Sequence, residues 1–160
     1  MMVDAEERFW NKVVKDPAPH GCWYWIGAVA DDGYGRYTLN ANNRTVAVRP
    51  HRYAYALATG QDIRKLSTLM HVCDMPLCVR ATADTDTHLL EGDARLNMLD
   101  RRKKGRDRNG SGSTWRGQAR THFAARSRAL RNEIRDHGLT RPTVLEALRT
   151  GDDPSSPVLF

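Results

Sequence analysis

Between Met70 and Arg106 the chain carries a histidine, two cysteines, a second histidine and an asparagine, in that order, followed by a run of bases. Two chemistries can be read from these side chains. A neutral imidazole at His71 can take a proton from water near physiological pH. The carboxamide oxygen of Asn97 is a hard donor of the kind that Mg2+ accepts. Together they suit hydrolysis of a phosphodiester, which requires a nucleophile, neutralisation of the pentavalent transition state and stabilisation of the leaving 3′ oxygen. Cys73, Cys78 and His88 are instead soft donors for Zn2+, and Cys22, the remaining cysteine of three, would complete a Cys3His tetrahedron. His71 could also be the fourth donor, leaving Cys22 as a buried apolar thiol. A zinc-bound His71 could not serve as a base. A thiol nucleophile at Cys73 or Cys78 is the poorest account, because it leaves Asn97, the bases and the other cysteines without a use.

The order HxCxxxxC from His71 to Cys78, then HisLeu at His88, then Asn97 nine residues after that histidine, resembles the HNH, or His-Me finger, endonucleases. It looks closest to the zinc-bound homing enzymes of that superfamily. RFWNKV at Arg8 to Val13, GCWYWIGA at Gly21 to Ala28, GYGRY at Gly33 to Tyr37 and HRYAYAL at His51 to Leu57 are similar to phage-borne HNH proteins, so the resemblance spans about residues 8 to 106. It implies an α+β fold with a small antiparallel sheet and a zinc-stapled ββα-metal motif over about 68–104. It also implies structural Zn2+ on Cys22, Cys73, Cys78 and His88, catalytic Mg2+ on Asn97, His71 as general base, and an arginine near the scissile phosphate, either Arg44 or Arg36. Two features depart from the family pattern. Met70 stands where an acidic or histidine metal ligand usually precedes the catalytic histidine, and nine residues instead of four separate Cys78 from His88, with no Asn-Pro between them.

The elements that must position these residues are legible in outline. Asp4 and Glu7 read as a helix cap, with Phe9, Trp10, Val13 and Val14 on one face of a helix reaching about Lys15. Cys22 to Ala28 and Tyr34 to Leu39 are short, aromatic-rich strands around an AspAspGly turn, and a second turn leads into Arg44 to Val48. Trp23, Tyr24, Trp25, Tyr34 and Tyr37 are expected in packing roles. Pro50 and Gly60 bracket a helix whose buried face is Ala54, Leu57 and Ala58, with His51 as a packing or hydrogen-bonding residue. Thr68 to Val72 reads as the strand bearing His71, and Cys73 to Cys78 as a knuckle held irregular by Pro76. Arg80 to Thr87 is polar and is expected to loop out. Asp93 caps a helix to about Lys104, with Leu96 and Leu99 facing inward.

Six of the eight residues from Arg101 to Arg108 are basic, namely Arg101, Arg102, Lys103, Lys104, Arg106 and Arg108, and form a candidate phosphate-tracking strip. The domain plan is then a nuclease unit over 1–106, a basic flexible linker over 107–121, a helical hairpin or helix-turn-helix over 122–150 and a disordered tail over 151–160.

Composition is consistent with this plan. The 160 residues, 40% of them hydrophobic, allow a modest core that a structural metal would reinforce. The net charge of +6 favours an anionic partner, here duplex DNA. Three unevenly spaced cysteines and no secretory leader suggest an intracellular setting, cytoplasmic or, for a phage-encoded chain, the host cytoplasm. No apolar run approaches the roughly 20 residues that span a bilayer, so no membrane partner is expected. A monomer would cut one strand, and a twofold homodimer both. The expected function is thus a Mg2+-dependent DNA endonuclease. The competing expectation is a non-catalytic, zinc-stabilised DNA-binding protein derived from the same fold, in which Met70 and the lengthened loop mark a lost active site.

Overall fold

The structure, a computed structural model, describes residues 4–41, 44–103 and 113–140, together with 142 and 144. It is α+β, with small antiparallel sheets and helices. The elements are α1 (Ala5–Trp10), β1 (Val13–Lys15), β2 (Trp23–Trp25), β3 (Ala28–Val29), β4 (Gly35–Ala41), β5 (Arg44–Val48), α2 (Pro50–Thr59), β6 (Thr68–His71), β7 (Leu89–Gly92), α3 (Ala94–Lys103) and α4 (Ser113–His137). The strands do not join one sheet. Among the described residues they form a β1–β2 ribbon, a β3–β4–β5 sheet and a β6–β7 ribbon.

The core is built around Phe9, which is fully buried. Its ring lies 5.3 Å from Trp25, 5.3 Å from Tyr37 and 4.9 Å from Tyr53, so α1, β2, β4 and α2 meet on one side chain. Aromatic pairs in these offset and edge-on arrangements add attraction beyond the area they bury. The polar tips are accommodated too. Trp25 Nε1 donates to the Ala28 carbonyl at 2.9 Å, and the Tyr37 hydroxyl donates to the Ala5 carbonyl at 2.5 Å. Gly35 is required by this packing, since a Cβ there would lie 2.6 Å from the Trp25 ring and 2.7 Å from Pro50.

α1 is shorter than the sequence suggests. Asp4 does cap it, accepting from the Ala5 N–H at 2.7 Å, but the helix stops at Trp10. Val13 and Val14 instead form β1, with Val13 opposite Trp25 and Val14 opposite Tyr24. β-branched residues give little to a helix end and pack well on a pleated partner, and β2 supplied one. α2 starts at Pro50 and ends at Gly60, whose φ of 69° is the left-handed cap that a side chain would strain.

β6 and β7 pair with His71 opposite Leu89, and α3 follows directly and packs on both strands. Asp93 caps α3, accepting from the Leu96 N–H at 2.7 Å. The inward facing expected for Leu96 and Leu99 is not found. Leu96 is 50% exposed, Leu99 40% and Met98 57%. A two-stranded ribbon is too narrow to cover the full width of a helix's apolar stripe.

The C-terminal region also differs from its expected plan. Residues 113–121, read as linker, belong to α4, a 25-residue helix. That helix is not an independent appendage, because Leu130 and Ile134 sit in the same buried cluster as Phe9 and Trp25. Phe123 fills the space over Gly33, whose φ is 83° and where a Cβ would lie 2.5 Å from the Phe123 ring. Arg120 pairs with Asp31 at 2.8 Å. Of the second helix of the expected hairpin, only residues 142 and 144 are described, and the tail from 151 lies outside the described residues.

Truncating α4 inside the core should therefore cost global stability. Leu130→Ala is expected to destabilise by about 2–5 kcal/mol in urea unfolding, whereas exposed Met98→Ala should stay within ~0.5 kcal/mol.

Candidate metal centre and its neighbouring histidines

Four donors converge from three segments: Cys22 beside β2, Cys73 and Cys78 in the knuckle after β6, and His88 just before β7. Their ligand atoms all lie within 4.8 Å of one another. Backbone pairing brings the segments together. The Trp25 N–H donates to the Leu77 carbonyl and the Val79 N–H to the Trp23 carbonyl, both at 2.8 Å. Residues 77–79 thereby extend the β1–β2 ribbon, with Tyr24 bridged to Cys78. Cys22, two residues before Tyr24, is thereby brought within reach of Cys78.

The segment between Cys78 and His88 is a loop, as its polarity suggested, with residues 83–85 exposed, but its first residues are not at the surface. Arg80 is 8% exposed. Its guanidinium donates to the Gly21 carbonyl at 2.6 Å and the Asp86 carbonyl at 3.0 Å, and pairs with the Asp86 carboxylate. Asp86 also meets His20 Nδ1 at 2.5 Å. The His88 N–H donates to the Arg80 carbonyl at 3.0 Å, and the Val72 N–H to the His88 carbonyl at 2.9 Å. The loop is thus closed by one buried arginine, and His88 lies beside Cys22 and Cys78.

The donor set fits a zinc ion. With metal–sulfur and metal–nitrogen bonds of about 2.3 and 2.05 Å at tetrahedral angles, a sulfur and a nitrogen ligand should be roughly 3.6 Å apart. Cys22 Sγ is 3.6 Å and Cys78 Sγ 3.5 Å from His88 Nδ1. The electrostatics point the same way. Hydrogen bonds from the neighbouring thiols hold the Cys73 pKa low, while Cys22 is pushed well up by the Cys73 and Cys78 side chains and by burial. One thiolate forms readily, and further ones are opposed by the charge already present, an opposition that a cation would remove.

His71 is not among these donors. Its Nε2 lies 3.0 Å from the Cys78 carbonyl oxygen. A carbonyl can only accept, so Nε2 carries the proton and Nδ1 the lone pair. Burial lowers the His71 pKa, which favours the neutral ring. Around it stand His51, with ring centroids 4.9 Å apart, and Tyr34, at 5.9 Å. His51 is itself buried, and its pKa lies well below the usual histidine value through burial first and then the charges of His71, Arg52 and Arg49.

The remaining site residues divide. Asn97 is half-buried in α3, its N–H bonded to the Asp93 carbonyl at 3.0 Å. Arg44 is exposed at the turn end of β5, where it pairs with Ala41. That is roughly 16 Å along the strand from Arg49, at the end bordering Tyr34. Arg36 is exposed, on the face of β4 opposite buried Gly35 and Tyr37. Arg49 was not singled out in the sequence, yet its guanidinium lies 5.8 Å from the Tyr34 ring and pairs with Asp32 at 2.5 and 3.1 Å. Its only sequence signal was its place before Pro50. In the basic strip, Arg101, Arg102 and Lys103 end α3, with Arg102 exposed, while Lys104, Arg106 and Arg108 lie outside the described residues.

Loss of a cluster donor should abolish metal retention. Purified protein is expected to hold about one zinc per chain by elemental analysis, Cys78→Ser and His88→Ala to hold none, and His71→Ala to keep it.

Over 90 residues the chain is 32% identical to Protein 2.8 of Escherichia phage T7. The match covers 56% of this chain and 55% of that protein, so the chain spans about half the length of the curated relative it matches. No family model matches, and no solved structure matches. Among the described residues, no helix is long and apolar enough to cross a membrane.

Proposed function

We propose that the protein is a Mg2+-dependent endonuclease of the HNH class that hydrolyses phosphodiester bonds in duplex DNA, with the Cys3His cluster holding structural zinc and β6, β7 and α3 acting as its ββα-metal motif. The observation that carries this reading is the hydrogen bond from His71 Nε2 to the Cys78 carbonyl. It commits one ring nitrogen to the zinc knuckle and reserves the other, Nδ1, as a base.

In this reading the knuckle is a mount. Cys73 and Cys78 flank the turn that offers the carbonyl, so a metal closing that turn would also fix the imidazole. His71 Nδ1 takes a proton as the water oxygen bonds to phosphorus. The phosphorus–O3′ bond breaks, and the 3′ oxygen leaves to take a proton from solvent, giving a 5′-phosphate and a 3′-hydroxyl. Asn97 Oδ1 and substrate phosphate oxygens would hold Mg2+, which supplies Lewis-acid stabilisation of the developing charge. One protein ligand suffices for a cation that retains water and substrate oxygens, so Met70 is no obstacle.

Arg49 is the preferred phosphate arginine, ahead of Arg44 and Arg36. It shares the Tyr34 ring with His71, and its planar fork, now on Asp32, suits two oxygens of a phosphate equally well. The basic end of α3 would track the neighbouring backbone.

Supercoiled plasmid incubated with the protein and Mg2+ is expected to give relaxed or linear product, and EDTA to prevent it. Zinc-replete His71→Ala should lose the activity. Arg49→Ala should lower kcat by about 10²-fold or more, with Arg44→Ala nearly unaffected. A preparation that holds zinc and binds DNA, yet cleaves none of a panel of plasmids and genomic fragments, would favour the non-catalytic binding protein.

A further inference from the structure

We propose that His51 is a positioning residue that fixes the plane of the His71 imidazole and so keeps its Nε2–H on the Cys78 carbonyl, the bond that sets its tautomer. The proposal rests on His71 being the proton acceptor, but its physical content can be measured without any cleavage.

The need for such a residue follows from the position of His71. It ends β6, and beyond one further backbone bond, from the Val72 N–H to the His88 carbonyl, the chain leaves regular structure for the knuckle. A single hydrogen bond, Nε2 to the Cys78 carbonyl, fixes one direction of the ring. It leaves open coupled changes of χ1 and χ2 that tilt the ring plane and shift Nδ1 while the bond is kept. A second contact at an angle to the first is needed to stop them.

His51 supplies that contact. The two rings meet edge to face, 66° apart in plane. Tyr34 closes the same corner, 5.6 Å from His51 and 5.9 Å from His71. This wall is itself firmly held. His51 sits in the first turn of α2 directly after Pro50, where the helix start is fixed. Arg49, one residue earlier, is tied to Asp32 by a two-pronged ion pair. Tyr34 is backed by Phe123 of α4 at 6.1 Å. A group mounted on a helix is placed more exactly than one on a loop, and here it faces a histidine at a strand end.

The chemistry of His51 suits this part better than that of a second base. It is 8% exposed and its close neighbours are rings. The charged groups around it are the guanidinium ions of Arg49 and Arg52, with the Asp32 carboxylate already engaged by Arg49. A ring that stays neutral in this company neither competes for the proton nor repels His71 when His71 carries one.

The test compares zinc-loaded wild type with His51→Ala and His51→Phe, by two-bond proton–nitrogen correlation spectra of the His71 imidazole and by plasmid cleavage. Wild type should show His71 protonated at Nε2 alone. His51→Ala, with zinc content unchanged, should show mixed tautomers, and its kcat should fall about 10- to 100-fold with KM little altered. His51→Phe, which keeps an edge and a face, should restore the wild-type spectrum. Should His51→Ala fail to fold, His51→Leu fills the space without a ring and is read in the same way. An unchanged His71 spectrum in a folded Ala or Leu variant overturns the proposal, as does a disturbance in His51→Phe as large as that in His51→Ala. A disturbed tautomer in a protein whose wild type cleaves no DNA would sustain the positioning role and sink the nuclease reading alone.

Discussion

The constraint on which this molecule depends is the convergence of three sulfurs and one ring nitrogen at a point that no single element provides. Cys22 comes from the edge of the first ribbon, Cys73 and Cys78 from the knuckle, and His88 from the entry to β7. Ligand atoms this close repel one another once more than one is ionised, a repulsion that a cation among them would remove. Among the described residues, the sheets on either side have two or three strands each, and two-stranded ribbons are marginal alone. The Phe9 core and the backbone bonds of residues 77–79 to β2 join them, and the donor cluster sits at that junction.

That convergence also places the histidine pair. The knuckle presents the Cys78 carbonyl to His71, α2 presents His51, and the turn before β4 presents Tyr34. Each of these supports traces back to the Phe9 core. α2 packs on it through Tyr53, and β4 through Tyr37. α4 adds a third anchor, with Leu130 and Ile134 in the core and Phe123 against Tyr34. A residue 52 positions beyond His71 in the chain thus backs the ring that touches it.

Much of this was legible in the sequence where a residue type has one good use. Pro50 and Gly60 marked α2 to the residue, Asp93 marked the start of α3, and three cysteines with His88 marked the donor set. The errors came where tertiary partners decided. Val13 and Val14 fit a helical face as well as a strand until Trp25 and Tyr24 are there to pair with. The polarity of residues 80–87 suggested a solvent loop, which holds for 83–85 but not for Arg80, whose buried seat of two carbonyls and the Asp86 carboxylate composition does not reveal. Leu96 and Leu99 have the right spacing for a buried face, but among the described residues no layer covers it. Arg49 was overlooked because nothing in the spacing of arginines tells which one a fold turns toward a given histidine.

The sequence distance within the donor set has a consequence for the order of assembly. Cys22 and His88 are 66 residues apart. At a synthesis rate of about 5–20 residues per second, roughly 3–13 s pass between the appearance of the first donor and the last. For most of that interval Cys22 is a solitary thiol, and the knuckle pair is complete only ten residues before His88. Oxidation or mispairing is most dangerous then, before folding has begun to shield the sulfurs. A nascent chain in a reducing environment passes through this window safely, whereas one made under oxidative stress would be lost at birth and not in service.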